Sequence, residues 1–426
     1  MNDLDPGWIR AQFPALTQEV NGQPAVFFDG PGGTQVPRGV IEAISHYLIH
    51  SNANAHGAFV TSAQTDALVT AARQAIADFL GCEGDEVVFG ANMTTLAFSF
   101  SRAIARELQP GDEIIVTRLD HYANVSPWKA LEEQGIVVHA IDIQVTDCTL
   151  NLADLERLLN SRTRLVAVGY ASNAVGTIND VARVTQLAHA AGAMVFVDAV
   201  HYAPHGVIDV RALDCDFLAC SAYKFFGPHI GILYGKRQHL TRLRPYKVQP
   251  APDDGPSRWE TGTQNYESMA GLIAAIDYLA AIGHQVVPDG KNRRAALIAG
   301  MEAIQTYEQQ LSQRLIPGLL EIPGITVYGI TDRDRFAWRT PTVGVRVRGY
   351  SPQLVARALG DRGIFTWNGN FYAPGLTEAL GIEASGGLLR IGLVHYNTLA
   401  EIDLLLNQLD ELTQRASTRP PTLQMT

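Results

Sequence analysis

The chain has few cysteines: four among 426 residues, at Cys82, Cys148, Cys215 and Cys220. No Cys-x-x-Cys pair occurs, so a zinc ribbon or a disulfide framework is excluded and reduced thiols are expected. No apolar run looks long enough to span a bilayer, and the opening Met1-Asn2-Asp3-Leu4-Asp5-Pro6 is acidic and lacks the apolar core of a signal peptide. A cytoplasmic location with no membrane partner is the resulting expectation. Neither Gly-x-Gly-x-x-Gly nor the phosphate loop ending in Gly-Lys-Ser/Thr is present, which disfavours a nucleotide ligand. Positive charge is also scarce. Lys and Arg number 33 against 43 Asp and Glu, a formal net charge of −10, so no nucleic-acid surface is expected. No metal site and no internal repeat are apparent.

What is present is apolar sequence in short runs. Hydrophobic residues make up 46% of the chain, enough for a large core and two domains. Strand-like runs at 86–90, 113–117, 137–143, 164–171, 194–199, 217–221 and 230–234 alternate with helical patterns such as 152–159 and 181–191. The alternation predicts an α/β fold, with a large, mostly parallel seven-stranded sheet and a smaller α+β domain at the C-terminal end. The expected division is an N-terminal segment at 1–20 packing near the small domain, a large domain at 21–265 and a connecting helical region at 266–313, broken around 283–290. A small domain at 314–415, with a strand at 342–348 and helices at 352–361 and 399–414, precedes a frayed tail at 416–426.

Lys224 lies in Cys220-Ser221-Ala222-Tyr223-Lys224-Phe225-Phe226-Gly227-Pro228-His229, directly after an apolar strand. Aromatic surroundings desolvate an ammonium, lower its pKa and make the amine a better nucleophile toward an aldehyde. A Schiff base with pyridoxal phosphate (PLP) requires such a lysine, although a lysine snorkelling out at a strand end reads the same in isolation. Upstream, Ala193-Met194-Val195-Phe196-Val197-Asp198-Ala199-Val200-His201 is a buried strand ending in a carboxylate. That is where open α/β sheets bind ligands, and a protonated pyridine nitrogen would partner the charge; a helix N-cap is the other reading of Asp198. A phosphate site is offered by Val87-Val88-Phe89-Gly90-Ala91-Asn92-Met93-Thr94-Thr95. Here strand, turn and helix N-terminus follow in order, and Thr94 and Thr95 serve either as phosphate donors or as caps.

With these residues in place, the chain resembles fold-type I, class V aminotransferases, and within them the cysteine desulfurase and selenocysteine lyase branch. The resemblance spans most of the chain and implies the PLP-dependent transferase fold, a homodimer and an amino-acid substrate. It implies that Lys224 carries the cofactor as an aldimine, that Asp198 faces the ring nitrogen, and that Ser221 and Tyr223 lie near the phosphate. His121 in Asp120-His121-Tyr122-Ala123-Asn124 matches the stacking histidine, and Thr94 and Thr95 match the phosphate-binding pair. Asn173 in Ser172-Asn173-Ala174-Val175-Gly176-Thr177 matches an asparagine by the phenolic oxygen. Gly262-Thr263 matches a Gly-Thr that reaches the neighbouring subunit's phosphate, and Arg390 in Leu388-Leu389-Arg390-Ile391-Gly392 matches the arginine that holds the substrate carboxylate. Gly33, in Phe27-Phe28-Asp29-Gly30-Pro31-Gly32-Gly33-Thr34, falls on a loop that lines the substrate cleft in related enzymes; a plain turn is its other reading. His56 reads as either a substrate contact or a solvated loop residue.

Three positions depart from the family pattern. His201 replaces a glutamine by the phenolic oxygen, and Tyr223 replaces a histidine before the lysine. In 363–374, Tyr372 stands where desulfurases carry the cysteine that accepts sulfur as a persulfide. A phenol cannot form a persulfide, and Cys220, four residues before the lysine, reads as a packed strand residue. The expected activity is therefore β-elimination from a cysteine-like amino acid, a carbon-sulfur or carbon-selenium lyase reaction. Lys224 would act as general base, with His121 and Asp198 as catalytic partners. Transamination, epimerisation, a sulfur-carrier role and a noncatalytic PLP-fold partner stand as alternatives.

Overall fold

The computed structural model describes residues 4–287 and 292–418. Seven strands form the large sheet: β1 Val87–Gly90, β2 Glu113–Thr117, β3 Val137–Ile141, β4 Thr163–Gly169, β5 Met194–Asp198, β6 Phe217–Ser221 and β7 Gly231–Gly235. They overlap the seven runs expected from sequence. Their spatial order is β1-β7-β6-β5-β4-β2-β3. β7 pairs antiparallel with both β6 and β1, and the other neighbours pair parallel. The central strands are buried on both faces because their side chains alternate between two cores. Val166, Val168, Val195, Val197 and Leu218 enter one core, and Leu165, Ala167, Phe196, Phe217 and Ala219 enter the other.

Two long helices follow, α1 Tyr266–Val286 and α2 Arg293–Glu321. α1 runs on through Gly283, where the break was expected to begin, to Val286, and residues 288–291 lie outside the described residues. α1 corrects one expectation: by length and composition it could cross a bilayer, yet 67% of its apolar window is buried inside the protein. α2 continues unbroken past 313 and through Pro317, because Leu311, Leu315, Ile316 and Leu319 are fully buried in a third core. That core lies under a four-stranded antiparallel sheet of β8 Ile325–Tyr328, β9 Thr342–Val347, β10 Trp367–Gly369 and β11 Leu388–Gly392, in the order β8-β9-β11-β10. The last helix, Leu399–Thr418, runs beyond 416, where fraying was expected; 419–426 lie outside the described residues.

The segment before residue 20 packs onto both parts. Arg10 donates to the Tyr396 carbonyl at 2.7 Å and pairs with Glu401 at 2.9 Å, while Trp8 stacks near Tyr278. A short parallel pairing of Val26–Phe27 with Ile364–Phe365 carries the chain from the N-terminal segment into the Gly-Pro-Gly-Gly turn at 30–33.

Candidate active site

A cavity of about 840 Å³ opens at the carboxyl ends of β4, β5 and β6 and is closed on the other side by β10, β11 and the loop after β10. Asp198 ends β5, in register with Gly169 on one side and Ala219 on the other. Its Oδ1 accepts the Val200 N–H at 2.9 Å. Burial raises its pKa to about 7; the Val200 hydrogen bond opposes this, the Asp120 charge adds to it and Lys224 lowers it. Asp120 also lines the cavity and is pushed up to about 6 by burial, against hydrogen bonds from Thr117 at 2.7 Å, Asn124 at 2.8 Å and the Gly169 backbone. Gly169 permits that approach, since a Cβ there would lie 2.8 Å from the Asp120 carboxylate. Two buried carboxylates thus face one cavity, and neither forms an ion pair among the described residues.

Lys224 follows β6 on a single 3-10 turn, Ala222–Lys224. Its ammonium donates to the Pro31 carbonyl and lies 4.7 Å from the centre of the Tyr223 ring. Burial, then the Arg390 charge, lowers its pKa to about 7, while Asp198 opposes the fall. The amine is therefore substantially neutral near pH 7, as a nucleophile or base requires. Tyr223 stacks on His229 at 4.8 Å.

The turn from β1 enters the helix Met93–Ala105, whose N-terminus opens on the cavity. Asn92, and neither threonine, is the cap: its Oδ1 accepts from the Thr95 N–H at 2.9 Å and the Thr95 hydroxyl at 3.0 Å. Ser221 Oγ accepts the Met93 N–H at 3.0 Å, tying β6 to the helix start. Thr94 stands exposed at the second helical position and lines the cavity, a ready anion donor.

His121 accepts the Ala123 N–H on Nδ1 at 3.0 Å. Burial, with Lys224 and Arg390 adding, lowers its pKa to about 4, so the ring is neutral. His201 is buried with Nε2 at 3.2 Å from Thr340 Oγ1, and burial and then His205 push it well below its ordinary value. Arg390 projects from β11, donates to the Asn173 carbonyl at 2.9 Å and lies 4.2 Å from the Phe371 ring centre. Arg390 Nε and Asn173 Oδ1 are both buried with no partner among the described residues.

Thr94, Thr95, His121, Asn173, Asp198, His201, Ser221, Tyr223, Lys224 and Arg390 all line this one cavity. Two expected site residues do not. Gly33, at φ 149°, packs behind Tyr223, where a Cβ would come within 3.3 Å of the ring, and Pro31 and Gly32 line the cavity instead. Thr263 is exposed and lies outside this chain's own cavity. His56 is exposed, paired with Asp66 at 2.9 Å, and also lies outside. Asp120 and His229 were not singled out as site residues. Asp120 stands three residues past the end of β2, after Arg118, so it lacks the signal that found Asp198, a carboxylate closing an apolar strand.

The donor set fits PLP. A desolvated lysine suits the aldehyde, unpaired buried carboxylates suit a protonated ring nitrogen, a helix N-terminus with Thr94 suits the phosphate, and the free Arg390 Nε suits a carboxylate. The tyrosine at 372 lines the cavity, and the thiols of Cys148, Cys215 and Cys220 are buried and pushed up by burial.

Comparison with known proteins gives the same answer. The family model described as aminotransferase class-V matches residues 26–405. An aminotransferase-like protein of Gibberella zeae is 35% identical over 413 residues, covering 94% of this chain and 97% of that protein. A cysteine desulfurase of Pectobacterium atrosepticum is 33% identical over 427 residues, covering 95% and 97%. The apo structure of a cysteine desulfurase from Thermococcus onnurineus superposes with a TM-score of 0.86 at 27% identity, over 97% of this chain and 99% of that one. The chain belongs to the class-V aminotransferase family, built on the PLP fold-type I architecture, and is a PLP-dependent enzyme.

Proposed function

We propose that this chain is a cytoplasmic carbon-sulfur lyase that eliminates the β-substituent of a cysteine-like amino acid. The observation that carries the reading is the placement of the Lys224 amine and the Arg390 guanidinium in one buried cavity, with tyrosine rather than cysteine on the facing loop. The desulfurase relatives support carbon-sulfur chemistry, and the missing loop thiol supports release of the sulfur group into solution.

Bound PLP supplies an electron sink for the pair left when the Cα proton departs. Arg390 binds the α-carboxylate through its free Nε and fixes which bond at Cα stands across the ring. Lys224, held near neutrality at pH 7, takes the Cα proton. Asp198 holds a proton on the ring nitrogen, with Asp120 beside it raising the cost of a second negative charge. His121 would lie against the ring, Asn173 and His201 would serve the phenolic oxygen, and Thr94, Thr95, Ser221 and Tyr223 would hold the phosphate.

The working unit is a homodimer in which Thr263 reaches the other subunit's phosphate. Its exposure outside its own cavity supports this, as do the exposed apolar residues Ile41, Leu48, Ile49, Phe59 and Val60. Transamination or epimerisation is the second reading, favoured by the aminotransferase-like relative. Mass spectrometry after turnover of L-cysteine tests the main reading: sulfide in solution and four unmodified thiols are expected. A persulfide on any of the four cysteines would contradict it.

A further inference from the structure

The loop after β10 is built as a rigid aromatic shelf. Phe371 and Tyr372 are consecutive non-glycine residues in the left-handed region, at φ 55° and 59°. Such residues are strained and persist only where their surroundings hold them. Here they do so on three sides. The Phe371 carbonyl accepts from Asn173 Nδ2 at 2.9 Å, the Tyr372 carbonyl accepts from the Tyr122 N–H at 2.7 Å, and Asn370, which receives the Tyr372 N–H at 3.1 Å, donates to Glu383 at 2.8 Å. Strain fixed in this way presents the Tyr372 ring at the cavity, 5.4 Å from His121, yet leaves 75% of the residue exposed.

Trp367 forms a second aromatic surface. It lines the same cavity, is 51% exposed and lies so close to the Gly-Pro-Gly-Gly turn that a Cβ on Gly32 would meet its indole nitrogen at 2.3 Å. Among the described residues of this chain, the charged side chains lining the cavity are Asp120, Asp198, Lys224 and Arg390, all assigned above to the cofactor or the α-carboxylate. Trp367, Tyr372, His229, Asn368 and Asn370 thus carry no fixed charge for a substrate side chain. Exposed large aromatics held rigidly beside a cavity of this size are recognition surface waiting for an apolar group.

We propose that the site is built for an amino acid carrying an uncharged aromatic or other large apolar side-chain substituent, lodged against Trp367 and Tyr372. The proposal rests on the lyase reading for its chemistry, under which the substrate is an S-substituted cysteine. The Cα–H proton is removed, the Cβ–S bond breaks with its electron pair leaving on sulfur, and the thiolate takes up a proton. One water then hydrolyses the three-carbon remnant, so substrate and water yield a thiol, pyruvate and ammonium. No oxidant or reductant is consumed.

The holoenzyme tests both layers with S-benzyl-L-cysteine and L-cysteine. Binding is read from the shift in the cofactor's absorption band, and turnover from thiol and pyruvate release. S-benzyl-L-cysteine is expected to bind at least about tenfold more tightly. Trp367→Ala and Tyr372→Ala should each reduce that preference about three- to tenfold, and Tyr372→Phe should retain it. Equal or weaker binding of the benzyl compound, or a preference undiminished in both alanine variants, overturns the shelf even if L-cysteine still yields pyruvate. A shelf-dependent preference without thiol or pyruvate release upholds the recognition and overturns the elimination chemistry beneath it.

Discussion

The Arg390 guanidinium donates to the backbone carbonyl of Asn173 at 2.9 Å, while Arg390 Nε lies buried with no partner among the described residues. One residue thus anchors the cation and leaves a donor for the ligand. Arg390→Leu should raise KM for the amino acid at least about thirtyfold, corresponding to roughly 2–5 kcal/mol for removing one partner of a buried charge pair. The same amine lacking its α-carboxylate should bind wild type and variant alike. Steady-state kinetics and a binding titration check both statements.

Lys224 has a folded pKa of about 7, below its ordinary value of 10.5. Between those values the native apoenzyme holds a neutral amine while the unfolded chain binds a proton, so this group's contribution to stability rises with pH across the window. The free amine is also the form that condenses with the cofactor. The rate of PLP loading onto apoenzyme should rise through pH 7 and level off by about pH 8. A stopped-flow rate that keeps rising tenfold per unit beyond pH 9 would show an unperturbed lysine.

Asp198 has the opposite sign. Its folded pKa of about 7 exceeds the ordinary 3.8, so the native apoenzyme keeps a proton that the unfolded chain releases. Stability from this group is fully present below pH 3.8 and falls as pH rises to 7, by at most about 1.4 kcal/mol per unit. Denaturant unfolding of apoenzyme should show that fall in wild type and a shallower one in Asp198→Asn. The same variant should lower kcat by at least about a hundredfold through loss of the ring-nitrogen proton.

Gly231 supports the anion end without touching it. A Cβ there would meet the Asn92 backbone at 2.4 Å, at the cap of the helix that opens on the cavity. Gly231→Ala should displace that helix start, cost about 1–3 kcal/mol of stability and weaken PLP retention about tenfold. Thermal melting and equilibrium dialysis measure the two effects.

The strands of the large sheet were legible because each is a largely apolar run, and the lysine and aspartate because each stands at or just after the end of such a run, where burial is costly. The reversed direction of β7 was not legible, since Gly231–Gly235 reads the same either way along the sheet. Nor was the cap: Asn92 and the two threonines are all good cap residues, and only packing against Ser221 decides among them. Gly32 rather than Gly33 lines the cavity, a distinction that a glycine-rich turn does not reveal in sequence. The extent of α2 was hidden by Pro317, which reads as a breaker but sits among buried leucines. Thr263 lies outside this chain's own cavity, where only the family resemblance had singled it out.

The most direct test is to incubate holoenzyme with L-cysteine and S-benzyl-L-cysteine, without any amino acceptor, and to count products. Pyruvate, ammonia and free thiol or sulfide released in equal amounts, and lost in Lys224→Ala, is the expected result. No pyruvate or ammonia, with the amino acid racemised, or with its nitrogen passed to a keto acid supplied in a parallel incubation, would contradict elimination and establish the second reading.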